Sequence, residues 1–187
     1  MATEKIKYTI TFLSEWHAGS GLGSGANADA VVIKDKDNLP YLPGKTIKGL
    51  LKNAIKDIME VQPNLVDKET IIELFGEYVQ SVKKSEMGRL FFSNAELSKA
   101  DKQSISNEMS AYLYHNIAST KIGKNGVAEI GSLRTMEVCI PVVLEGYIDG
   151  LPSNNAKLFE MAFKYLRHVG VNRNRGLGRC QFEIKTI

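Results

Sequence analysis

The sequence predicts an α+β fold, an antiparallel sheet with helices on one face. Three observations predict it. Alternating strands open and close the chain: Ile6, Tyr8, Ile10 and Phe12 alternate with Lys7, Thr9 and Thr11, and Phe182 and Ile184 alternate with Gln181, Glu183 and Lys185. Between them lie stretches whose apolar residues recur at helical spacing. From 98 to 131 this patterning weakens to Ser, Asn, Lys and Gly, as expected of an insertion or protruding element.

After the first strand, Trp16-His17 leads into a glycine-rich stretch from Ala18 to Asn27, read as a flexible loop able to cradle phosphates. Gly21, Gly23 and Ala26 satisfy the nominal dinucleotide spacing. The Ala30-Val31-Val32-Ile33 run behind them is strand-like rather than a helix start, so the match is accidental. Residues 35–38 read as a turn, and 39–44 as a stiff extended lead-in. A helix begins near Lys45-Thr46, burying Ile47, Leu50, Leu51, Ala54, Ile55 and Ile58. Lys45, Lys48, Lys52 and Lys56 fall on its other side. A cation at a helix N-terminus is unfavourable, and a bound anion relieves it; Gly44 would let backbone amides approach a phosphate oxygen. Gly44-Lys45-Thr46 has the look of a P-loop tail, but Leu39 stands where that motif requires glycine, which excludes a nucleotide triphosphatase.

A second helix is expected over 68–79, with Ile71, Ile72, Leu74, Phe75 and Tyr78 as burial candidates, and a strand over 88–92. Lys124-Asn125-Gly126 reads as a hairpin turn. Residues 133–148 form a long extended segment in which Met136, Val138, Ile140 and Val142 share a face and Pro141 marks an edge or bulge. Ser153 N-caps a last helix over 153–169 with Leu158, Met161, Ala162, Tyr165 and Leu166 on its apolar face. The skeleton is simplest as a βαββαβ, ferredoxin-like arrangement: one domain over 1–187 with an insertion at 98–131.

The helix-to-strand connection Gly170-Val171-Asn172-Arg173-Asn174-Arg175-Gly176-Leu177-Gly178-Arg179 carries three glycines and three arginines. Arginine forks match phosphate oxygens. A dinucleotide loop needs strand, glycines, then helix; here the order is reversed. The plain alternative is a connection with solvated arginines. In the predicted topology both glycine loops and the lysine-bearing helix start line one groove.

At 187 residues, 43% hydrophobic and 24% charged, the chain fits one soluble globular domain. Its net charge of +3 is too mild to identify a nucleic-acid binder, so the clustering of cations matters more. Cys139 and Cys180 lie far apart in apolar contexts, which suits buried free thiols rather than a disulfide or zinc site. His115 and His168 have no partner at metal-ligand spacing, and no metal site is expected from the residues alone; a helix C-terminus accounts for His168. No signal peptide and no apolar run of about 20 residues is visible, so a cytoplasmic protein without a membrane partner is expected.

Four motifs in order carry a resemblance: Trp16-His17-Ala18-Gly19-Ser20-Gly21; Leu39-Pro40-Tyr41-Leu42-Pro43-Gly44-Lys45-Thr46-Ile47-Lys48-Gly49-Leu50-Leu51; Gly131-Ser132-Leu133-Arg134-Thr135-Met136-Glu137-Val138; and Arg175-Gly176-Leu177-Gly178-Arg179. Together, over 16–179, they resemble the RAMP superfamily of CRISPR effector proteins, and within it the RNA-binding backbone subunits of type III complexes. The resemblance implies an RRM-like ferredoxin fold, binding of CRISPR guide RNA along its backbone, target RNA as a second partner, and stacking with other RAMP subunits into a filament. It implies a thumb-like hairpin, placed at 119–134, that wedges between nucleotides. On this basis the expected RNA contacts are His17, Gly19, Ser20, Gly21, Gly44, Lys45, Thr46, Lys48, Lys52, Arg134, Arg173, Arg175, Gly176, Gly178 and Arg179.

Some subunits of this kind cut the bound target with an Asp in the loop after the first strand. Asp29, shortly before Val32-Ile33-Lys34-Asp35, holds that place. A carboxylate there would hold a divalent metal, Mg2+, or orient a ribose 2′-hydroxyl for attack on its own phosphate; otherwise Asp29 caps a turn. Two other readings compete. One is a precursor-processing endoribonuclease of the same superfamily using His17, although a structural histidine also suits that strand end. The other is a generic ferredoxin-like RNA-binding module outside CRISPR.

Overall fold

The computed structural model describes residues 3–25, 28–79, 84–105 and 108–186. Strand β1 (Thr3–Phe12) is an interior strand of the main sheet. Its alternation places Ile6, Tyr8, Ile10 and Phe12 in the core, none more than 3% exposed. Strand β2 (Tyr41–Leu42) leads into helix α1 (Gly44–Val61), which buries Ile47, Leu51, Ala54 and Ile55 as its spacing predicts. Helix α2 (Lys68–Phe75) is capped by the Asp67 carboxylate, which accepts from the Thr70 amide at 2.7 Å.

Helix α2 stops four residues short of the predicted 79. Strands β3 (Gly76–Val79) and β4 (Lys84–Met87) pair as an antiparallel hairpin, and the extended backbone that pairing requires overrides the helical period. The Tyr78 side chain lies outside the described residues. The predicted strand over 88–92 shrinks to β5 (Phe91–Phe92). The Arg89 and Leu90 amides instead donate to the Glu73 and Leu74 carbonyls, satisfying acceptors at the end of α2.

Strand β6 (Ala95–Glu96) is followed by helix α3 (Lys99–Ser104), a 3-10 turn at Met109–Leu113 and strand β7 (Tyr114–Ser119). The long extended segment is two strands, β8 (Arg134–Cys139) and β9 (Val143–Pro152), separated around Pro141. Strand β8 pairs with β7 in a separate two-stranded ribbon, from Tyr114↔Cys139 to Ser119↔Arg134. Beyond that closing pair the chain turns at 124–127, with the Gly126 amide on the Gly123 carbonyl at 3.0 Å.

The last helix, α4 (Ala156–Tyr165), is shorter than the predicted 153–169. Residues Ser153–Asn155 form a 3-10 turn, and the N-cap is Asn155 rather than Ser153. Its buried residues are Leu158, Phe159, Ala162 and Phe163, while Tyr165 is 55% exposed. Aromatic packing selects this face: Phe163 meets Tyr8 at 5.6 Å and Phe182 at 5.4 Å, and Phe159 stacks on Phe75 at 5.9 Å. The helix cannot continue because Arg167 and Val169 already bond to Cys180 and Gly178 at the start of β10 (Cys180–Thr186).

The main sheet runs β10-β1-β9-β6-β2, with β5 also on β9, and each of its pairs is antiparallel. Helices α1 and α4 pack on each other. Cys139 and Cys180 are buried free thiols, each pushed up to about 12 by burial. Among the described residues no helix is long and apolar enough to cross a membrane.

Candidate nucleic-acid interface

The site is built where β1 exits the sheet. Trp16 stacks on Phe12 at 4.4 Å and exchanges two backbone bonds with Cys139, fastening the chain to β8. His17 follows and is only 3% exposed. Its Nδ1 lies 2.6 Å from the Glu137 carbonyl, which fixes Nδ1–H as the donor, and its own carbonyl accepts from the Val171 amide at 3.1 Å. His17 therefore ties the chain after β1 to β8 through its ring and to the C-terminal loop through its carbonyl. A general base needs reach to its substrate, and this ring does not offer it.

The glycine-rich stretch after His17 is a paired hairpin rather than a flexible cradle. Gly19 bridges Val32, the Ser20 amide donates to Val31 and the Ser24 amide to Ala28. The Ser20 hydroxyl accepts from the Leu22 amide at 3.1 Å. The Ser20, Leu22 and Ser24 amides are thereby used within the chain, and Gly21 lies exposed. Ala26 of the nominal dinucleotide spacing lies outside the described residues, as does Asn27.

The residue that sequence reasoning missed is Glu137. Its carboxylate accepts from the Val32 amide at 2.9 Å and from Lys34 Nζ at 2.8 Å, and Lys34 lies 3.8 Å from the Tyr114 ring centroid. The Glu137 amide donates to the Ala30 carbonyl. Together these bonds lash 30–34 against β8 and place Asp29 beside Thr135. The Asp29 amide donates to the Thr135 carbonyl at 2.8 Å, and the Thr135 amide donates to Asp29 Oδ2 at 2.7 Å. The carboxylate is thus oriented yet exposed, and among the described residues Oδ1 has no partner.

Asp29 opens onto a cavity of about 810 Å³ walled by the β7–β8 ribbon and the C-terminal loop, with Arg134, Arg175, Asn172 and Met136 in its lining. Asn172 takes a left-handed conformation (φ 54°) that starts the 3-10 turn Arg173–Arg175. Arg173 and Arg175 also flank a shallower hollow of about 490 Å³. Both are exposed, and among the described residues neither is in an ion pair. Gly178 has a packing role: at φ +71°, a Cβ there would sit 1.9 Å from the Val169 carbonyl oxygen. Gly176, by contrast, faces open space.

The remaining expected contacts separate from this cavity. Arg179 lines a different groove, between α4 and β10. Lys45 and Thr46 begin α1, and Lys48 borders a hollow with Gly76, Glu77 and Glu86. The Lys52 ammonium donates to the Gly76 carbonyl; desolvation, then repulsion from Lys56, lowers its pKa. The amide of Gly44 donates to Asn94 Oδ1 at 3.0 Å, and a Cβ there would lie 2.2 Å from the Phe92 carbonyl oxygen. That glycine permits the helix to approach β5, and its amide is not free for phosphate. The structure thus brings Asp29, Arg134 and Arg175 into one cavity, while the α1 lysines and Arg179 line other surfaces.

The model of the RAMP superfamily matches residues 9–181. The chain belongs to the RAMP superfamily. It is 33% identical over 110 residues to the CRISPR system Cms endoribonuclease Csm3 of Streptococcus thermophilus, covering 54% of this chain and 49% of that protein. The match thus spans about half the length of the curated relative. Among solved structures, a chain of the type III-B Cmr-beta complex bound to cognate target RNA superposes with a TM-score of 0.72 at 12% identity, covering 96% of both chains. A chain of the apo Cmr-beta complex gives 0.70 at 12%, covering 97% of both. These likenesses establish a shared mixed α/β fold.

Magnesium demands near-octahedral oxygen ligation. Among the described residues no group of three or more His, Cys, Asp or Glu is placed to hold a metal. At Asp29 one carboxylate shares its cavity with two guanidinium-bearing residues. Magnesium is commonly held by one or two carboxylates together with waters and substrate phosphates, so Asp29 is the residue that would hold it, and the two guanidinium groups suit an anionic ligand.

Proposed function

We propose that this RAMP protein is a guide-RNA-binding backbone subunit of a cytoplasmic type III CRISPR antiviral effector complex, that it packs against other RAMP subunits, and that Asp29 cuts target RNA paired to the guide. The observation that carries the reading is the cavity in which Arg134 and Arg175 accompany the oriented carboxylate of Asp29. The strand order supports a ferredoxin-like reading of the fold. Taking β5 and β6 together as the second strand, β9 as the third and β10 as the fourth gives the order 4-1-3-2, with α1 and α4 as crossovers.

In this reading the arginines hold phosphates bidentately. The free Asp29 oxygen accepts the proton of a ribose 2′-hydroxyl. The 2′-oxygen bonds to the adjacent phosphorus as the phosphorus–5′-oxygen bond breaks, and the leaving 5′-oxygen takes a proton from solvent water. The products are a 2′,3′-cyclic phosphate and a 5′-hydroxyl. The precursor-processing alternative is disfavoured by the burial of His17 and by its bond to the Glu137 carbonyl.

The test is a complex reconstituted with guide RNA and presented with labelled complementary RNA. Asp29→Asn should slow cleavage about 100-fold or more, while target affinity stays within about twofold, because base pairing with the guide supplies most of the binding. Cutting at the parental rate and positions by the Asn variant would remove Asp29 from the chemistry.

A further inference from the structure

We propose that the free edge of β10, together with the groove between β10 and α4, receives an extended acidic segment of another polypeptide as an added strand. Among the described residues strand β10 ends the sheet and pairs only with β1. The parity of its hydrogen bonds is set at its start. The Leu13 amide donates to the Arg179 carbonyl on the β1 side, and the Cys180 amide donates outward to the Arg167 carbonyl. Since backbone groups alternate along a strand, Phe182 and Ile184 direct their amides and carbonyls outward, as Cys180 does.

Proteins normally shorten, bulge or cover such an edge. Here the cover stops at the His168↔Arg179 bridge and the Cys180–Arg167 bond. Beside the open part lies a groove of about 700 Å³. Its apolar lining includes Phe163, Leu166, Phe182 and Ile184, and its cations include Arg167, Arg179 and Lys185. Of its two carboxylates, Glu160 is held by Lys164 at 2.6 Å, leaving only Glu183 against the three cations.

An excess of positive charge repels a basic strand and favours an acidic one. The apolar lining and outward amides suit a peptide that alternates apolar and acidic residues: the backbone pairs with β10 and every second side chain enters the groove. A phosphodiester strand would leave both the apolar lining and the backbone acceptors of β10 without partners.

The test uses the full chain and a fluorescein-labelled octapeptide alternating valine with glutamate. Anisotropy should report saturable binding, and amide hydrogen exchange should slow about tenfold or more at Phe182 and Ile184, with little change at Gln181 and Glu183, which already face β1. Arg167→Glu with Lys185→Glu should weaken binding about tenfold. N-methylation of the peptide amides on one edge should abolish it, and on the other edge leave it intact. Unchanged exchange at Phe182 and Ile184 with peptide in excess overturns the proposal. So does an oligouridylate that occupies the groove where the peptide does not.

Discussion

Glu137→Gln separates charge from shape at the residue that holds the Asp29 segment in place. In the parent, Glu137 Oε1 meets Lys34 at 2.8 Å with side-chain exposures of 15% and 23%, and Oε2 accepts from the Val32 amide. The substitution removes the negative charge and forces the amide group either toward the Lys34 ammonium or toward the Val32 N–H. One of those donors then faces another donor. Loss of one charge-assisted bond plus an unpaired, largely buried donor costs about 2–3 kcal/mol, already discounted for the partial solvent exposure of Lys34. In a chain of 187 residues this lowers Tm by about 4–12 °C. Urea unfolding followed by circular dichroism reads the free energy, and a cycle with Lys34→Met reads the coupling, expected at about 1–2 kcal/mol. A loss below about 0.5 kcal/mol would refute the argument that this carboxylate fastens 30–34 to β8.

Other outcomes follow from the same geometry. Gly178→Ala should destabilise by about 3 kcal/mol or more or prevent folding, because its Cβ meets the Val169 carbonyl oxygen at 1.9 Å. Gly176→Ala, in open space, should cost only about 1–2 kcal/mol; equal losses would contradict the packing argument. Arg134→Ala and Arg175→Ala should each weaken RNA binding for all sequences and reduce the salt slope by about 0.7, measured by filter binding against the exposed Lys157→Ala as control. Cys139 and Cys180 should resist a thiol reagent at pH 8 in the native state and react on unfolding. Burial raises both from 9.0 to about 12, so the unfolded chain loses its thiol protons first as pH rises. The resulting stability is complete below about pH 9 and falls above it by about 1.4 kcal/mol per pH unit per thiol. Rapid native labelling at pH 8 would contradict this.

Period and composition alone place β1, α1 and β10, because each buries one face through a repeat that a single stretch of chain can display. Ile6 to Phe12, Ile47 to Ile55, and Phe182 with Ile184 all announce their faces in this way. Asp29, Arg134 and Arg175 were likewise legible as residue types in a recognisable order. Their meeting in one cavity was not legible. It depends on Glu137, which reads as one polar residue of an alternating strand until Val32 and Lys34 are brought to it from more than 100 positions away. Tertiary packing also decided which donors and faces are already engaged. The amides of Ser20 and Gly44 look free in the sequence but are bonded to Val31 and Asn94, the face of α4 is chosen by the rings of Tyr8, Phe75 and Phe182, and Arg179 turns to the β10 edge. Local pattern fixes which residues prefer burial or an anion; only the folded chain determines which hydrogen-bond donors remain available and which charges share a surface.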